Sequence, residues 1–67
     1  MKNEDRAEYG RAAVDAGTPD RDCNDDSTNT TDTLANIMHW CKEEKIDFSR
    51  CMASAQMHYQ AEIEEGD

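Results

Sequence analysis

His39, Cys41, Cys51 and His58 together make two imidazoles and two thiols, a donor set able to hold a tetrahedral zinc ion. Their spacing works against it. Residues two apart on a helix point about 200° from each other, so His39 and Cys41 do not face one ion from a regular helix. Cys41 and Cys51 fall on apolar stripes, where a reduced thiol acts as a small hydrophobe. A second candidate is Asp20, Asp22, Asn24 and Asp26, whose oxygens alternate like the start of a calcium loop. The pattern then fails, because Asp25 stands where a sharp turn needs glycine and Thr31 where a bidentate glutamate closes the site. A solvated acidic stretch is the expectation, with a weak calcium-binding helix-loop-helix as the remote alternative. No metal or cofactor is expected.

The remaining reactive groups also lack the neighbours that catalysis needs. Cys23 lies among Asp22, Asp25 and Asp26, whose charge disfavours a thiolate. His58 and Glu62 are one turn apart, as an ordinary surface pair would be. No glycine-rich phosphate loop is present. The chain is therefore expected not to be an enzyme.

The elements that carry these residues must be few. A chain of 67 residues buries only about 60% of its unfolded surface on folding. Leu34, Ile37, Ile46 and Ile63 are its only Leu and Ile, beside one Trp and one Phe. Sixteen Asp and Glu against seven Lys and Arg give a net charge of −9, which disfavours direct contact with nucleic-acid phosphates. Three cysteines do not make a dense disulfide framework. No window nears the ~18 apolar residues of a membrane span, and the opening MKNEDRAEYG has no apolar run of signal-peptide length. A soluble, cytoplasmic protein follows as the expectation.

The periodicity predicts an all-α fold: a helical hairpin over 32–67 and a loosely packed N-terminal helix within 1–31, possible completion coming from dimerisation. The first helix spans about 4–16, with Asn3 as cap, Tyr9, Ala12, Ala13 and Ala16 as its apolar face and Gly17 as its stop. Residues 18–31 are almost all Asp, Asn, Ser and Thr and predict a disordered acidic loop. The hairpin helices span about 32–44 and 48–64, with Asp47 capping the second. Their core is expected to comprise Leu34, Ile37, Met38 and Cys41 from one and Phe48, Cys51, Met52, Ala55 and Tyr59 from the other.

The run from Asp32 to Glu64, with His39-Trp40, Asp47-Phe48, His58-Tyr59 and Ala61-Glu62 as its fixed points, resembles small acidic hypothetical proteins of tailed bacteriophages and prophages. The stretch RAEYGRAAVDAG is similar to the alanine-rich helix that precedes the pattern in those proteins. The resemblance implies a helical fold and a phage or prophage origin, without an activity.

Trp40, Met57 and His58 fall beside or opposite the stripes, and His39 adjoins Trp40. Two readings stand side by side: Trp40 closes the gap between the hairpin and the alanine face of the first helix, or these four are partner-binding residues with Trp40 as anchor. The expected function is a small interaction protein that binds and modulates a host or phage protein and forms a homodimer. The alternative is an acidic decoy that mimics nucleic acid and inhibits a DNA-binding defence or repair enzyme of the host.

Overall fold

The computed structural model describes residues 2–19 and 25–66. These form three helices and no strand, an all-α fold: α1 (Asn3–Gly17), α2 (Asp26–Glu43) and α3 (Phe48–Glu65). None of the described helices is long and apolar enough to cross a membrane.

Helix α3 starts and stops where its end residues direct. The Asp47 carboxylate accepts from the Arg50 backbone N–H at 3.1 Å, which satisfies one of the orphan donors of the first turn. At the other end Gly66 takes a left-handed φ of 77°, and its N–H donates to the Ile63 carbonyl at 3.2 Å. The turn between α2 and α3 is a Schellman closure. The Ile46 N–H reaches the Cys41 carbonyl at 2.8 Å and the Lys45 N–H reaches Lys42 at 3.3 Å. Lys45 occupies the left-handed position with φ 59°, where glycine would be unstrained.

Helix α2 begins six residues earlier than the composition of its first half suggests. The expected loop over 18–31 is corrected from Asp26 onward; residues 20–24, which include part of that loop, lie outside the described residues. Asp25 caps the helix, its carboxylate accepting from the Thr28 N–H at 2.7 Å. This bond, with the Thr28 hydroxyl adding to it, holds the Asp25 carboxyl below the usual carboxylate range. Thr30 and Thr31 turn their hydroxyls onto the carbonyls of Asp26 and Ser27 at 2.7 and 3.0 Å. Ser, Thr and Asn cost about 0.5 kcal/mol each relative to Ala in a helix. Tertiary contact offsets that cost: Asn29 and Thr33, one turn apart, are both buried.

The partner of that face is α1, which packs on α2 more extensively than α3 does. Gly17 sits so close to α2 that a Cβ there would lie 2.8 Å from Thr33 Oγ1. Asn36 Nδ2 donates to the Gly17 carbonyl at 3.2 Å, and the Thr18 hydroxyl closes α1 on the Val14 carbonyl at 2.7 Å. The docking face of α1 differs from the expected one. Tyr9 is 65% exposed, and Ala12, Ala13 and Ala16 are exposed as well, whereas Asn3, Arg6, Val14 and Gly17 are half-buried. Alanine methyls offer little area to bury, so the small and polar face wins the contact. Asn3 lies inside the first turn and Lys2 is the N-cap residue.

The expected hairpin core is only partly closed. Cys41 is buried at 4% exposure and Phe48 and Met52 are half-buried, but Leu34, Ile37, Met38, Cys51, Ala55 and Tyr59 are exposed. Burial is concentrated near the turn and falls away along both helices, so α3 leaves α2 as it proceeds. Its far end is held by α1 instead: Arg6 Nε lies 3.4 Å from Glu62 Oε2, and Asn3 Nδ2 donates to the Glu62 carbonyl at 3.1 Å. The result is a plate of 35 × 30 × 16 Å. Its radius of gyration is 13.4 Å, against about 11 Å for a compact domain of this length.

Candidate interaction surface

Where α1 crosses α2 the two backbones approach too closely for large side chains, and a shallow notch opens beside the contact. It is lined by Ala13, Ala16, Gly17, Thr33, Asn36, Ile37 and Trp40. Small residues form its floor on α1, and α2 supplies the wall. Trp40 stands at its rim with 55% of its surface exposed. An indole in that state presents a broad apolar face and an N–H donor, the combination that anchors protein interfaces.

The other candidate residues do not join it. His39 lines a separate groove with Met38, Cys41, Lys42, Ile46 and Phe48, at the turn end of α2. His58 lies in a depression along α3 with Asp47, Arg50, Cys51, Ser54 and Ala55. Met57 is 72% exposed. The four residues therefore do not share a surface, because residues 39 and 40, and likewise 57 and 58, are 100° apart on their helices. Gly17, Thr33 and Asn36 are the members of the notch that the sequence reading assigned to no surface, whereas Ala13 and Ala16 were expected on the apolar face of the first helix. Gly17 carried the available signal, since a glycine ending a helix can mark close approach as well as a stop.

Chemistry at these surfaces is sparse. Among the described residues no group of three or more His, Cys, Asp or Glu is placed to hold a metal ion. His39, Cys41, Cys51 and His58 are spread over the grooves just described. Of the alternating acidic set, Asp20, Asp22 and Asn24 lie outside the described residues, and Asp26 forms part of the first turn of α2. Among the described residues two buried side-chain polar atoms lack a partner, Asn29 Oδ1 and Thr33 Oγ1. Both belong to the α1–α2 contact, where they represent a stability cost of about 1–3 kcal/mol each.

No protein family, curated protein or solved structure matches this chain.

Proposed function

We propose that the chain is a small non-enzymatic interaction protein, of bacteriophage or prophage origin and acting in the host cytoplasm, which binds a host or phage protein and modulates it. The observation that carries this reading is Trp40, more than half exposed at the rim of a notch floored by small residues. A monomeric domain gains nothing in stability from an indole held in water, whereas a partner that covers it desolvates one of the largest apolar surfaces a side chain offers. Phage or prophage origin is supported by the sequence resemblance alone.

The test is capture from bacterial lysate with the tagged wild type, the Trp40→Ala variant and the charge-reversed pair Glu4→Lys and Glu8→Lys. Trp40→Ala is expected to reduce capture of the same partner about tenfold or more, with the reversed pair changing it less. Equal capture by Trp40→Ala and wild type contradicts the reading.

The exposed carboxylates Glu4, Asp5 and Glu8 on α1, within a net charge of −9, favour the acidic decoy as a second reading. A decoy binds a basic groove, so its capture falls steeply with added salt and is competed by duplex DNA. Salt-insensitive capture contradicts it.

A further inference from the structure

We infer that a second copy of this chain docks on the open apolar face of the α2–α3 hairpin. Assigned to it are Leu34 and Met38 on α2 and Phe48, Met52, Tyr59 and Ile63 on α3, of which Met38 and Phe48 line one groove. The spacing of four within each pair, 34/38, 48/52 and 59/63, keeps every pair on one side of its helix. Leu34, Met38, Tyr59 and Ile63 are exposed and the other two are half-buried.

The area fits that occupant. A compact monomer of this mass exposes about 4,300 Å². This chain exposes 5642 Å², an excess of roughly 1,300 Å² where a standard interface covers about 800 Å² per partner. Cys41 is the only apolar side chain among the described residues that is fully buried, so the fold itself depends on a cover. A second copy supplies one at fixed stoichiometry, and an isologous pair covers both open faces with one contact.

The distribution of charge admits a copy and disfavours a basic partner. All sixteen Asp and Glu fall within residues 1–32, 43–47 and 62–67. The segments Thr33–Lys42 and Phe48–Ala61 contain none, and their full charges are Lys42 and Arg50. Two hairpins meeting through these segments bring together no carboxylate rows despite the net charge of −9 on each chain. Of the face only Ile63, at its end, is flanked on both sides by carboxylates, Glu62 and Glu64. A basic amphipathic helix laid on the same face finds no carboxylates along its middle. The face is distinct from the Trp40 notch, because Trp40 and Met38 are two residues apart and project to opposite sides of α2. The inference does not rest on the function proposed above.

Sedimentation equilibrium of the full chain tests it. The wild type is expected at twice the chain mass of 7.6 kDa at about 100 µM. Met38→Glu and Tyr59→Glu are expected to weaken association about a hundredfold or more. Met57→Glu, on the opposite side of α3, and Trp40→Ala are expected to stay within about threefold of wild type. Should the glutamate variants fail to fold, the wild type alone decides through salt. Association is expected to hold or strengthen between about 0.05 and 0.5 M sodium chloride, as apolar contact does. A folded wild-type monomer, dissociation by salt, Met57→Glu matching Tyr59→Glu, or displacement of the copy by a basic amphipathic peptide each overturns the proposal. Loss of lysate capture by Trp40→Ala with the dimer intact separates the two surfaces.

Discussion

The contact between α1 and α2 is tight and polar, whereas the contact between α2 and α3 is apolar and open. On one side, Gly17, Thr33, Asn29 and Asn36 bring two backbones together at the cost of unpartnered buried oxygens. On the other, Leu34, Met38, Tyr59 and Ile63 stay 39–62% exposed. Close packing here follows the size of side chains more than their hydrophobicity: small residues permit approach without supplying much transfer free energy, and large ones supply it only when something covers them. The molecule is thus closely packed where it is polar and incomplete where it is apolar.

Gly17 is where a substitution is expected to cost the most. Its missing Cβ would fall 2.8 Å from Thr33 Oγ1, so Gly17→Val is expected to destabilise the fold by about 3 kcal/mol, read as a lower urea midpoint. A Gly17→Val variant as stable as wild type would mean that the helices do not meet there. Thr33→Val sharpens the same contact with the opposite sign. It keeps the shape and removes the unpartnered hydroxyl, for a gain of about 1 kcal/mol in the same titration. At the hairpin turn, Lys45→Gly relieves the left-handed φ of 59° and is expected to stabilise by about 0.5–1 kcal/mol, seen as a higher melting temperature.

The smallest effect concerns pH. The folded-state pKa of Asp25 is depressed by its bond to the Thr28 N–H, so the capped state is favoured above the ordinary aspartate pKa near 3.8. The contribution is lost as pH falls through the lowered value. Amide exchange at Thr28 is expected to accelerate over that acid interval in wild type, and Asp25→Ala is expected to flatten the dependence.

Much of this arrangement was legible in the sequence, unevenly. Asp47 marks the start of α3 because a cap acts through local backbone bonds that sequence neighbours determine. The second half of α2, with its Leu34–Cys41 stripe, was legible for the same reason of periodicity. The first half was not, because Ser27 to Asp32 prefer turns in isolation and become helical only with Asn29 and Thr33 pressed against α1. The facing of α1 was misread toward Tyr9 and the alanines, since nothing local says that Asn3 and Arg6 will reach Glu62 at the far end of the chain. Trp40 stood out as lying off the stripe, but the notch beneath it depends on the approach of Gly17, a tertiary event. Of the expected core residues Cys41 is buried and Phe48 and Met52 are half-buried, because facing stripes do not determine how closely two helices stay together.

If one chain does not close its own apolar hairpin, the helices lose their cover when copies separate. Far-ultraviolet circular dichroism on dilution reads this loss: helix content is expected to fall as the chain is diluted from about 100 µM to about 0.1 µM, and the melting temperature with it. Helix content and melting temperature independent of concentration over that range would contradict it.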